Sequence, residues 1–271
     1  MAPLARHLVV LACIVSSSLA LQGTLYDLPV SNHGARVRMI LRQKGIDTVK
    51  IEGPQTLGGL KSDEYLALNA QGKMPLFVTS AGLPIPESAT IASFVIDSTL
   101  TTPPTFIPTT GEGRVLSDLI TRLHDSYITP IQGCLYRASG TGFGRHGDDR
   151  VAAMNDVCFQ LGVIGKTLDK FRSQHPELNK KAYLTGSEPS LADVSLFPTL
   201  CFTEFMFPLF DCVATTTAPY LPSNLQAFYD FMLTTSEGKA VKDEIWKALE
   251  KWEANGRWDP ILEEMASLQQ A

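Results

Sequence analysis

The stretch that decides the fold is Gln71-Gly72-Lys73-Met74-Pro75-Leu76-Phe77-Val78 with its continuation Pro86-Glu87-Ser88-Ala89-Thr90-Ile91. A strand that starts directly after a proline has lost one ladder donor. If the Met74–Pro75 bond is cis, it turns the Met74 amide outward. An extended, peptide-like ligand can pair there as an added strand. Glu87 and Ser88 then open a helix through Ile91, Phe94 and Val95, and the free N–H groups of a helix start favour an anionic group. On this reading Glu87 holds an ammonium and Ser88 a carboxylate. The plainer alternative is a trans proline at a strand edge followed by a Glu-Ser cap.

The flanking sequence supplies the rest of a small α/β unit. Thr24-Leu25-Tyr26-Asp27 reads as a strand, followed by a loop through Pro29-Val30-Ser31-Asn32-His33-Gly34. Val37, Ile40 and Leu41 then recur at helical spacing, with Arg36, Arg38, Arg42 and Lys44 on the opposite face and Gly45 as the stop. Thr48 to Ile51 is a second strand, Ser62 to Ala70 a short helix, 76–79 and 83–86 a hairpin, and 87–99 a closing helix. The order is βαβαββα.

Residues 100–113 shift to Thr, Pro and Gly and form a linker. Beyond it the periodicity is helical only, over 115–137, 148–171, 190–209, 225–233 and 240–254, which predicts an all-helical second domain. Ser190-Leu191-Ala192-Asp193 has the form of a capping box. Gly140-Thr141-Gly142-Phe143-Gly144-Arg145-His146-Gly147 is glycine-rich but follows no strand, so it reads as a mobile loop and not as a nucleotide fingerprint. Phe202, Phe205, Phe207 and Phe210 read as packing. Trp246, Trp252 and Trp258 either pack or border a pocket.

Four motifs in this order resemble the glutathione transferase family: Ser31 five residues before Arg36-Val37-Arg38, the Ala70 to Pro75 turn, Glu87 to Ile91, and Ser190 to Asp193. The resemblance covers most of the chain after residue 23. It implies a thioredoxin-like N-terminal domain over 24–100, a linker over 101–113 and an all-α C-terminal domain over 114–271. It is nearest to serine-type classes such as zeta, although zeta-like sequences carry a second serine and a cysteine where this chain has Asn32 and His33. The resemblance implies Ser31 as the thiol-activating residue. It also implies Lys61, Lys73, Met74, Pro75, Glu87 and Ser88 as glutathione contacts, and Asn32 and His33 as assisting groups. Tyr127, Ile131 and Tyr136 are candidates for contact with the second substrate. A homodimer is implied, with glutathione as a substrate and no further cofactor.

A net charge of −5 gives no basic footprint for nucleic acid, and 44% hydrophobic content over 271 residues suffices for two modest cores. Residues 1–20 read as a secretory signal peptide: Arg6 and His7, an apolar run from Leu8 to Val15 too short to span a bilayer, and a small-residue cleavage site at Ser18-Leu19-Ala20. That predicts the endoplasmic reticulum lumen or secretion, or alternatively an organelle reached through the secretory route, with no stable membrane span once the signal is removed. Cys134, Cys158, Cys201 and Cys212 show no metal-ligand spacing, the five histidines are dispersed, and no metal site is expected.

A free thiol titrates near roughly 8.5, and a hydroxyl donor plus helix-start N–H groups stabilise the thiolate. Ser31 would donate that bond; its plainer role is the N-cap of the following helix. The expected function is conjugation of glutathione to an electrophilic small molecule. The alternatives are a non-catalytic carrier of glutathione or apolar ligands, and a glutathione-dependent cis-trans isomerase of zeta type.

Overall fold

The computed structural model describes residues 21–179, 183–210 and 220–268, so the expected signal peptide and Cys212 lie outside the described residues. Strand β1 (Gly23–Tyr26) leads to helix α1 (Asn32–Gln43), β2 (Val49–Glu52), α2 (Asp63–Leu68), β3 (Leu76–Thr79), β4 (Pro84–Pro86) and α3 (Ser88–Ser98). The sheet order is β2-β1-β3-β4, with β1 parallel to β2 and the other pairs antiparallel. Leu25, Phe77 and Ile85 stand in register across the sheet and are buried, with α1 and α3 packed against each other beside it. The expected βαβαββα unit is therefore present, and its strand ends move by about one residue. A short 3-10 turn at Pro54–Leu57, absent from the sequence reading, precedes α2.

The second part is largely helical: α4 (Gly111–Leu123), α5 (Arg150–Gln174), α6 (Leu191–Met206), α7 (Ser223–Met232), α8 (Ser236–Ala254) and α9 (Asp259–Leu268). Helix α4 starts inside the expected linker because Thr110 caps it, its Oγ1 accepting the Gly113 N–H at 3.0 Å. The single helix expected over 115–137 is broken. It passes into one π turn at His124–Ile128, and Pro130 then prevents continuation, leaving a 3-10 turn at Gln132–Leu135. Helix α9 was not legible as a separate element.

Helix α6 is apolar nearly all round and is buried among α1, α4 and α8. Its start carries the capping box: Asp193, fully buried, accepts the Ser190 N–H and hydroxyl at 2.7 Å each and the Leu184 N–H at 2.8 Å. The phenylalanines at 202, 207 and 210 are buried. The tryptophan question resolves toward packing, with Trp246 Nε1 donating to the Cys201 carbonyl at 2.9 Å and Trp258 Nε1 to the Leu135 carbonyl at 2.8 Å. The glycine-rich segment is pinned, since Phe143 is fully buried under the Arg150 guanidinium, 4.8 Å from the ring centre.

The cationic face of α1 is largely covered. Arg36, Arg38 and Lys44 are buried, the two arginines against the helical domain and Lys44 against the segment after α3. Arg38 is ion-paired to buried Asp27 and reaches Glu244 on α8 at 3.1 Å, and Arg42 pairs with the same Glu244. Lys44 Nζ donates to the carbonyls of Thr99 at 3.0 Å and Thr102 at 2.7 Å. Each buried cation thus has an acceptor, as burial requires.

Candidate functional site

One end of the sheet gathers the site. The strand register places Tyr26, Leu76 and Pro86 in a row. The loop leaving β1 toward Ser31, the Met74–Pro75 turn entering β3 and the Glu87-Ser88 start of α3 therefore share that edge. The Met74–Pro75 peptide is cis.

Ser31 is the N-cap of α1. Its Oγ accepts the Gly34 N–H at 2.9 Å, and its residue is 8% exposed. The plainer role is thus real, yet it leaves the donor role open: a hydroxyl has one proton and two lone pairs, and the cap occupies one lone pair. Gly34 is required here for a separate reason, since a Cβ at that position would collide with the Asp27 carboxylate.

The Glu87 backbone has φ 69 and ψ 119, a left-handed conformation that a non-glycine residue adopts at a cost of about 1–3 kcal/mol. Its carboxylate is exposed and accepts from Gln71 Nε2 at 3.4 Å, while Ser88 is buried at the first turn of α3. Lys61, exposed, reaches the Gln71 carbonyl at 3.4 Å, so Lys61, Gln71 and Glu87 form one rim. The Lys73 side chain is exposed, but its carbonyl accepts from the Tyr65 hydroxyl and Asn69 Nδ2, both at 2.8 Å, which fixes the turn before Pro75. Met74 is half-buried and Pro75 buried. Tyr65 and Asn69 are supporting residues that the sequence reading missed.

Asn32 and His33 face the helical domain. Asn32 Nδ2 donates to Gln132 Oε1 and to Thr199 Oγ1, both at 2.9 Å. Thr199 Oγ1 lies 2.7 Å from His124 Nε2, and His124 Nδ1 lies 2.8 Å from Asp125 Oδ1. Arg36 binds both Asp125 oxygens, at 2.5 and 3.1 Å. His33 Nε2 sits 3.1 Å from Gln132 Nε2, and its ring centre is 6.1 Å from that of His124. Burial, the neighbouring His124 and the Arg36 charge lower the His33 imidazole to about 3, so it is neutral near pH 7. Burial lowers His124 as well, against the pull of Asp125. Burial alone would raise Asp125, but the His124 hydrogen bond and the Arg36 guanidinium together hold it below the ordinary carboxylate value. The one sequence signal for this network was Thr199, a polar residue inside an otherwise apolar helical run.

The second-substrate candidates divide. Tyr127 is exposed, Ile131 is buried, and Tyr136 is half-buried between Phe202 and Trp252, with ring centres 5.4 and 6.0 Å away. Cys134, Cys158 and Cys201 are free thiols, and burial pushes Cys134 up to about 12 and Cys158 up to about 11, which makes them poor nucleophiles. Among the described residues one group brings possible metal-ligand atoms within 4.8 Å of one another, Glu112, His175 and Glu177. No helix among the described residues is long and apolar enough to cross a membrane.

A mixed four-stranded βαβαββα sheet whose first helix is covered by a helical domain defines a two-part, thioredoxin-like architecture. Residues 25–99 match the sequence family described as "Glutathione S-transferase, N-terminal domain". That match covers the sheet domain alone; over most of its described length the chain has the fold of glutathione transferases. Among solved structures it is similar to Leishmania TDR1, described as a unique trimeric glutathione transferase, with TM-score 0.64 and 17% identity over 85% of this chain and 48% of that one. The chain therefore spans about half the length of that relative. Gtt2 from Saccharomyces cerevisiae gives TM-score 0.59 and 20% identity over 80% and 99% of the two chains. Ure2p in complex with glutathione gives 0.63 and 16% over 82% and 98%. No curated protein matches the chain in sequence.

Proposed function

We propose that this protein binds glutathione along the sheet edge and activates its thiol for conjugation to an electrophilic small molecule. The supporting observation is the capped start of α1, where the Ser31 hydroxyl retains its proton after accepting the Gly34 N–H, on the same sheet edge as Pro75 and the Glu87-Ser88 pair. The glutathione backbone would pair with the Met74 segment. Its α-carboxylate would sit on Ser88 and the first N–H groups of α3, its ammonium on Glu87, and its glycine carboxylate near Lys61 and Lys73. The sulfur would then lie at the start of α1, where Ser31 and the helix N–H groups stabilise the thiolate. The electrophile would be held by side chains of the helical domain.

A homodimer fits the exposed apolar residues Val115, Leu119 and Tyr127 on α4 and the turn after it. Residues 1–20 would direct the chain into the secretory pathway. The test is turnover of glutathione with chlorodinitrobenzene alongside binding to immobilised glutathione. Turnover that saturates in glutathione supports the proposal. Binding without turnover on a panel of electrophiles would instead establish a carrier, and retention failure would remove the glutathione site.

A further inference from the structure

The buried polar network beside α1 has a direction, and that direction reaches the site. Asp125 is the fixed end. As an ionised carboxylate paired with Arg36 it can only accept, so the 2.8 Å contact requires the proton of His124 to be on Nδ1. The competing 3.2 Å approach of Arg36 Nη2 to the same nitrogen would need a bare Nδ1, with its lone pair facing the carboxylate. The shorter, charge-assisted contact decides the tautomer. His124 Nε2 is then an acceptor and takes the Thr199 hydroxyl proton at 2.7 Å. Thr199 Oγ1 in turn accepts from Asn32 Nδ2, whose other proton goes to Gln132 Oε1. That sets the Gln132 amide with its nitrogen toward His33, where Nε2 must accept. Each link leaves its successor one choice.

We propose that the chain of hydrogen bonds from Asp125 through His124, Thr199, Asn32 and Gln132 holds His33 with its proton on Nδ1, making His33 a second hydrogen-bond donor to the glutathione sulfur beside Ser31. The donor half rests on the function proposed above; the tautomer half does not. His33 is in the first turn of α1, two residues after Ser31, and is only half-buried. The charged and titratable groups around it are His124, Arg36 and Asp125 on the inner side and Lys73 from the glutathione-binding turn. A neutral imidazole suits the task, because it donates a proton in a hydrogen bond without surrendering it to the thiolate. Gln132, Thr199 and His124 act through His33 and are positioning residues.

The test begins on the full chain without any ligand, by nitrogen-15 NMR of the imidazole rings near pH 7. The result expected is a proton on Nδ1 in both His33 and His124, and a proton on Nε2 of His33 would overturn the proposal. Gln132→Glu then places an acceptor against Nε2 and should flip the His33 tautomer, lower turnover and leave the Michaelis constant for glutathione nearly unchanged. An unflipped ring would overturn the relay, and a purely structural glutamine would not flip it. If that variant does not fold, His33→Phe supplies the second measurement. The thiol pKa of bound glutathione, read from thiolate absorbance, should rise by about one unit on loss of one donor to an anion. An unchanged value would overturn the donor role. Failure of the wild-type chain to bind glutathione would overturn the donor role together with the proposed function, whereas the tautomer is judged by the NMR measurement alone.

Discussion

Mild acid should loosen the junction between the sheet domain and the helical domain. His33 titrates near 6.5 in the unfolded chain, but burial, His124 and Arg36 lower it to about 3 in the fold. Because the folded value lies below the unfolded one, the unfolded chain takes up the proton first. Stability therefore falls as pH drops through 6.5 and keeps falling toward 3. At pH 5 the ideal loss from His33 alone is about 2 kcal/mol, and solvent at its half-buried ring brings the expectation to about 1–2 kcal/mol. His124 shifts in the same direction by burial and adds to the loss. Asp125 does not contribute in this window. Its lowered value makes its stabilisation present above the unfolded value of 3.8 and lost only below it. Against a total of about 5–15 kcal/mol for a folded domain, the effect is measurable. Urea unfolding at pH 7, 6 and 5 should show the decline, and His33→Gln, which cannot titrate, should lose its share of the slope. Equal stability at pH 7 and 5, or the same slope in the variant, would refute the reasoning.

Other expectations follow from single contacts. Gly34→Ala would drive a methyl group into the Asp27 carboxylate, so it should destabilise by about 2 kcal/mol or more in urea melts or prevent folding; wild-type stability would contradict the close approach. Asp193→Ala removes the acceptor of two N–H groups and one hydroxyl and should cost about 2–4 kcal/mol, read from the same melts. In the proposed binding mode Ser88 touches the part of glutathione that is alike in ground and transition states. Ser88→Ala should raise the Michaelis constant for glutathione about tenfold or more with turnover nearly kept, and steady-state kinetics showing the reverse split would move Ser88 to the chemistry.

The sheet domain was legible because each of its elements carries its own local signal. Pro75 marks the entry to β3, Glu87-Ser88 the start of α3, and the spacing of Val37, Ile40 and Leu41 the buried side of α1. What was missed lies where a second surface completes the local pattern. In sequence Arg36, Arg38 and Lys44 show only as the polar face of α1, and the partners that bury them, from α8, Asp125 and the carbonyls after α3, lie from 55 to over 200 residues away. No periodicity contains that information. The break after α4 was readable in Pro130, and the early start of α4 was hidden by two glycines that resemble linker composition. The Ser31 candidate was readable as a cap, whereas the Asn32–Gln132–Thr199 network depends on contacts 100 and 167 residues apart.

The central claim is that the start of α1 stabilises a glutathione thiolate through Ser31, and the pKa of the bound thiol tests it most directly. Thiolate absorbance of the glutathione complex, titrated with pH, should place the bound thiol at least about one unit below the roughly 8.5 of a free thiol. Ser31→Ala should return it upward by about 1–2 units, the equivalent of one lost hydrogen bond to a charged group. A bound thiol that titrates like the free one, or a value that Ser31→Ala leaves unmoved, would reduce Ser31 to a helix cap and contradict the account.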